Sequence, residues 1–164
     1  MGKDKLRRFR ENLTFDCFVQ PEFDEVFHCD HPLKGRWRSD FFRNDNPIVL
    51  ELGCGKGGFI SQLASAHPEN NYLGIDITDK VLILAKRKIE AAYAEAGRPI
   101  DNVKIMSTDI ERIKGVITPE DTVSRIYINF CNPWSKNASS NKHRLTYPLS
   151  LIHISEPTRP EPIS

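Results

Sequence analysis

The chain has 164 residues, with 23 basic and 22 acidic side chains, 39% hydrophobic and 27% charged. That length suits one domain able to bury roughly 70% of the surface its unfolded chain exposes, and the near-average composition excludes a disordered chain, a collagen-like repeat and a disulfide-stapled scaffold. No apolar run approaches the roughly 20 residues of a membrane span, and Met1 to Arg10 lacks the apolar stretch of a signal peptide. The expectation is a cytoplasmic domain without membrane contact. Cys17, Cys29, Cys54 and Cys131 are scattered, with no C-x-x-C pair, so neither a metal site nor a disulfide framework is expected.

Residues 1–46 read as a basic arm and an irregular lead-in. Within Met1 to Arg10, Lys3, Lys5, Arg7, Arg8 and Arg10 stand against one acid, Asp4. A short helix is expected near Trp37, with Trp37, Phe41 and Phe42 as packing residues. His28, His31 and His67 read as surface or capping positions.

From Pro47 the pattern sharpens. Ile48 to Leu52 is a short apolar run ending at Gly53, as a strand buried on both faces reads. Gly57 and Gly58 open a helix with Phe59, Leu63 and Ala66 on its apolar face, and His67-Pro68 closes it. Tyr72 to Ile77 is a second strand. Thr78 or Asp79 can cap the next helix, where Val81, Ala85, Ile89, Ala92 and Ala96 share a face. Gly97 and Pro99 stop it. Val103 to Met106 is a third strand, Ile110 to Val116 a short helical piece, and Val123 to Phe130 a fourth strand. This alternation predicts an α/β fold with a parallel sheet and right-handed crossovers. Its ligand site belongs beyond the carboxyl ends of the strands.

The first such end reads Glu51-Leu52-Gly53-Cys54-Gly55-Lys56-Gly57-Gly58. Gly53 permits a tight turn, Gly55 lets backbone approach a ligand, and Gly57 or Gly58 lets the helix pack close to the strand. Gly53, Gly55 and Gly58 also satisfy the dinucleotide fingerprint, so the loop alone leaves a nicotinamide oxidoreductase open. Three acids discriminate: Glu51 before the turn, Asp76 at the end of the second strand, and Asp109 at the end of the third. Asp76 lies 23 residues after Gly53, where a carboxylate can accept both hydroxyls of an adenosine ribose. Extra carboxylates would repel a pyrophosphate. They suit a cationic ligand with an amino group, a sulfonium and an adenine, which is S-adenosylmethionine. No Tyr-x-x-x-Lys pair for hydride transfer is evident.

The fourth strand ends in Tyr127-Ile128-Asn129-Phe130-Cys131-Asn132-Pro133-Trp134. Together, E-L-G-C-G-K-G, G-I-D, T-D-I, Y-I-N-F-C-N-P-W-x-K and H-R-L-T resemble the bacterial tRNA (guanine-N7-)-methyltransferases, from about Asp4 through Tyr147. The resemblance implies a Rossmann-like methyltransferase that transfers a methyl group to guanine N7 in the tRNA variable loop. It implies Glu51, Asp76, Asp109 and Asn132 as cofactor-binding positions, Asn132 also as catalytic, and Lys136 as a tRNA contact. Gly53 and Gly55 join the cofactor loop by the backbone they allow, and Arg144 joins Lys136 as a phosphate contact in the basic loop after the Asn132 turn. Many members carry Asp where this chain has Asn132, and a second proline where it has Ser135. Asparagine keeps the hydrogen-bonding geometry without the charge.

The resemblance ends after Thr146-Tyr147. From Leu149 the chain resembles a translated sequencing-library adapter, and Pro157, Pro160 and Pro162 break any regular element. The expected organisation is therefore residues 1–46 as lead-in, 47–148 as the N-terminal part of the methyltransferase domain, and 149–164 as a non-native tail. An incomplete sheet of about four strands is expected, with the fourth strand as an uncovered edge. Such a chain would bind cofactor without turnover.

Overall fold

Strands apolar on both faces, joined by long connections, can pair only as a parallel sheet with its faces covered. The computed structural model describes residues 18–19 and 30–129. In chain order the strands are β1 (Phe18–Val19), β2 (Ile48–Leu52), β3 (Asn71–Asp76), β4 (Val103–Ser107) and β5 (Val123–Ile128). Two α-helices, α1 (Gly58–Ala66) and α2 (Asp79–Ala96), connect β2 to β3 and β3 to β4. The sheet order is β1-β4-β3-β2-β5, with every pairing parallel. The four strands expected from Pro47 onward are all present. The fifth, β1, lies in the lead-in expected to be irregular. Two residues are too few to show a period of two, so the sequence gives no sign of it.

One face of the sheet is covered by α1 and α2, through Ile60, Ala64, Leu82, Ala85, Ile89 and Tyr93. The other is covered by Trp37, Phe42, Ile113, Val116 and Ile117. Two helix faces differ from expectation. On α2 the buried residues are Leu82, Ile83, Ala85, Lys86, Ile89 and Tyr93, whereas Ala96 is exposed. Large side chains gain more from burial than alanine does, so they take the inner face. On α1 the buried residues are Ile60, Ser61 and Ala64, and Phe59 is 39% exposed. Phe59 instead meets Tyr127 edge-on, with centroids 4.7 Å apart, and Gly57, at φ +69°, stands where an added Cβ would lie 2.6 Å from Ala85 Cβ. That glycine seats α1 against α2, not against the strand. The glycine that brings helix and strand together is Gly74 on β3, where a Cβ would lie 2.8 Å from Ile60 Cδ1.

The helix expected near Trp37 is a π-helix over Trp37–Phe42. Trp37 is fully buried, and its Nε1 donates to the Val116 carbonyl at 2.8 Å. His31 is not a surface residue. It is buried, stacks on Trp37 with centroids 5.3 Å apart, and accepts the Leu33 amide on Nδ1 at 3.1 Å. His67 is exposed as expected, and His28 lies outside the described residues. Gly97 ends α2 in the left-handed region, with the Arg98 amide reaching back to the Tyr93 carbonyl at 3.0 Å.

The lead-in is fastened by an acid that sequence reading did not single out. Asp121 is buried, and its carboxylate accepts the amides of Gly35 at 2.9 Å, Trp37 at 3.3 Å and Thr118 at 2.9 Å. Two of those amides lie more than 80 positions away in sequence. Asp121→Ala strands all three, and each buried unmet donor costs about 1–3 kcal/mol before relaxation. The expected loss in urea denaturation is on the order of 3 kcal/mol. A change within about 0.5 kcal/mol, the range of an ordinary surface substitution, would contradict this anchoring role.

Candidate functional site

The carboxyl edge of the sheet gathers Glu51, Gly53, Gly55, Asp76 and Asp109. Gly53 follows β2 at φ +76°, which turns the chain so that its amide and that of Cys54 both donate to the Ile75 carbonyl, at 2.8 and 3.0 Å. Gly55, at φ +52°, donates its amide to Asp76 Oδ2 at 2.9 Å. Asp76 Oδ1 accepts the Thr78 amide at 2.9 Å. Asp76 is therefore also the brace of the glycine loop. Each of its oxygens keeps acceptor capacity, since a carboxylate offers about four lone-pair sites. The Thr108 amide donates to the Asp76 carbonyl at 3.1 Å and pins the end of β4 to that of β3. Asp109 follows directly, half-buried.

Glu51 differs from the solvated loop carboxylate that its place before the turn could suggest. It lies within β2 and is only 3% exposed. Asn129 Nδ2 donates to its Oε1 at 3.0 Å, whereas Oε2 is buried without a hydrogen-bond partner. Burial pushes its carboxyl above the ordinary value of 4.5, and the charge of Asp76 pushes the same way; the Asn129 hydrogen bond and the Ile60 backbone oppose them. A buried acceptor with no donor is an uncompleted contact. The group that completes it best is a cation bearing N–H, because a phosphate there would meet two carboxylates.

Two further residues belong to this edge. Asn129 follows β5, its amide donating to the Leu52 carbonyl at 2.9 Å, so it stands beside the glycine turn. Sequence reading quoted it within the Asn129–Trp134 motif but assigned a role only to Asn132. The register of β5 on β2, Leu52 against Ile128, could have singled it out. Ile77 follows Asp76 and is 65% exposed, an apolar contact next to the acid. Asn132, Lys136, Arg144, the basic arm and the tail from Leu149 lie outside the described residues. Among the described residues, no cluster of three or more His, Cys, Asp or Glu is arranged to hold a metal, and no helix is long and apolar enough to cross a membrane.

The Glu51 environment has a pH consequence. The folded chain holds this proton more tightly than the unfolded one does. Its contribution to stability is fully present below about pH 4.5, the ordinary value, and is lost as pH rises through the raised folded value. Denaturation of wild type and Glu51→Gln across that window should show wild type losing stability relative to the variant as pH rises. A difference that moves the other way would contradict the assignment.

Residues 45–159 match the family described as "Putative methyltransferase". The tRNA (guanine-N(7)-)-methyltransferase of Clostridium beijerinckii is 57% identical over 118 residues, which are 72% of this chain and 53% of that protein. The protein of the same name from Ruminiclostridium cellulolyticum is 53% identical over 129 residues, 77% of this chain and 54% of its own. A solved structure described as "Structure of an Antibiotic Related Methyltransferase" aligns over 65% of this chain and 50% of its own, at 19% identity and a TM-score of 0.46. The chain spans about half the length of the curated relatives it matches. A methyltransferase family implies a methyl donor and removes the ambiguity that the glycine loop left with nicotinamide oxidoreductases. The chain belongs to the methyltransferase family that residues 45–159 match, and it is similar to the bacterial tRNA (guanine-N(7)-)-methyltransferases.

Proposed function

We propose that the protein binds S-adenosylmethionine across the ends of β4, β3 and β2 and serves methylation of guanine N7 in tRNA, a cytoplasmic reaction. The observation that carries this reading is the buried, unpartnered Glu51 Oε2 beside Asp76. Adjacent strands lie about 4.8 Å apart, so three acids on three neighbouring strands span about 10 Å. An extended ligand fits that row in one order: adenine near Asp109, ribose hydroxyls on Asp76, and the amino-acid end on Glu51. Ile77 then supports the purine from its exposed side. The sulfonium, which joins the ribose to the amino-acid group, would be held between Asp76 and Glu51, and the motif containing Asn132 begins at the end of β5, the strand next to Glu51.

When bound, S-adenosylmethionine supplies an electrophilic methyl group and departs as S-adenosylhomocysteine. Guanine N7 carries an in-plane lone pair and no proton, so no general base is needed to create the nucleophile. The work left to the chain is alignment, holding N7 and the methyl carbon about 3–3.5 Å apart and in line. The guanine becomes cationic as the methyl arrives, and the Asn132 side-chain carbonyl suits that developing charge. Lys136 and Arg144 serve as phosphate contacts, which position the RNA without reading its sequence.

Calorimetry with S-adenosylmethionine and with NADH tests the cofactor. S-adenosylmethionine should bind and NADH should not. Asp76→Ala should weaken binding by roughly 10–100-fold, the equivalent of one charge-assisted contact at about 1.5–3 kcal/mol. Equal or tighter NADH binding would overturn the reading. For the substrate, any tritiated methyl group transferred to bulk tRNA should be recovered as N7-methylguanosine, and label in another nucleoside would contradict it.

A further inference from the structure

We infer that Asn129 is a positioning residue: its side-chain amide holds Glu51 Oε1 and so fixes the carboxyl plane, leaving Oε2 as the oxygen to receive the ligand's ammonium group. This rests on the S-adenosylmethionine reading of the site. Three observations carry it. Asn129 Nδ2 donates to Oε1 at 3.0 Å, while Oε2 has no partner and almost no solvent contact. The Asn129 backbone is itself fixed, its amide donating to the Leu52 carbonyl at 2.9 Å. The donor is thus held from a second strand, β5, and cannot follow Glu51 if that side chain swings. Without it, the plane of the Glu51 carboxyl group could turn, and no oxygen would be held in place for the ligand.

The contact also joins two parts of the site that chemistry needs in register. Glu51 belongs to β2 and the glycine turn, which hold the methyl donor. Asn129 begins the motif that continues through Asn132 to Trp134. A hydrogen bond between them ties the donor side to the acceptor side. The groups acting on Glu51 come from each neighbouring element: Asn129 from β5, the Ile60 backbone from α1, and Asp76, a charged group, from β3. Asn129 is the neutral side-chain donor of that set. It favours the ionised carboxylate without adding a charge that would compete with the ligand's cation.

The test uses the whole chain, Asn129→Ala and the isosteric Asn129→Asp, with two probes. S-adenosylhomocysteine carries the amino-acid group. 5′-Methylthioadenosine keeps the adenosine and thioether but lacks it. Asn129→Ala should weaken S-adenosylhomocysteine about tenfold while changing 5′-methylthioadenosine less than about twofold. Without any ligand, the Glu51 carboxyl titration followed by carbon-13 NMR should move to higher pH in Asn129→Ala. It should move further in Asn129→Asp, where a second carboxyl replaces the donor. Should Asn129→Ala unfold, Asn129→Asp carries the same comparison, because it preserves shape. Equal losses for both probes would mean a general disturbance of the loop, and an unmoved Glu51 titration would mean no contact; either overturns the inference. Wild-type protein that binds neither probe would overturn the cofactor reading as well, so the two failures are told apart.

Discussion

A carboxylate inside a parallel sheet is tolerated only if something completes its hydrogen bonds, and Glu51 has half of what it needs. Its Oε1 is held by Asn129, while its Oε2 has no well-formed hydrogen bond, with only the Ile60 backbone near the carboxyl group. The surrounding architecture keeps it so. Gly74 on the adjacent strand makes room for Ile60 to close over this region, and Gly57 seats α1 against α2, fixing Ile60 in place. With only 3% of Glu51 exposed, solvent offers its carboxyl group little in place of the missing donor. A buried group left incomplete in this way lowers the stability of the empty fold and raises the selectivity of the site, because only a ligand with the right donor removes the deficit.

The glycine loop takes its shape from the same economy of backbone hydrogen bonds. Ile75 receives two amides from the turn, and Asp76 receives one from Gly55 and one from Thr78. The loop is consequently braced by the same acid that is proposed to hold the ligand's ribose. On the opposite face, Asp121 does comparable work for the lead-in, collecting amides from Gly35 and Trp37. The two carboxylates differ in outcome. Asp121 is fully served by backbone donors and is structural. Glu51 is underserved and is the candidate for binding.

Much of this arrangement was legible in the sequence, and the reasons are local. The strands from Ile48, Tyr72, Val103 and Val123 announce themselves as short apolar runs, and Gly97 marks the end of α2 by the left-handed turn it permits. The placement of Glu51, Asp76 and Asp109 at the carboxyl edge was legible because each stands at or near the end of a run that reads as a parallel strand. What escaped depends on contacts distant in sequence. β1 is two residues long and exists through its pairing with Ile105 and Met106. Asp121 looks like any acid in a turn until Gly35 and Trp37 meet it. His31 looks like a surface histidine until Trp37 stacks on it. The buried face of α1 follows its packing on α2 and β3, through Ile60 and Ala64, which spacing alone does not reveal. Asn129 became identifiable only once β5 was in register with β2.

The central claim is that an underserved buried carboxyl group receives a cation, and its most direct measure is proton release. Calorimetry of S-adenosylmethionine binding at mildly acidic pH, in buffers of different ionisation enthalpy, counts protons exchanged on binding. The α-amino group, ordinarily titrating near pH 8, is then fully protonated and adds nothing to the count. Glu51 should ionise as the ligand's ammonium arrives, so a fraction of a proton should be released, and Glu51→Gln should abolish that release. Binding with no proton release, or release undiminished in Glu51→Gln, would contradict the account.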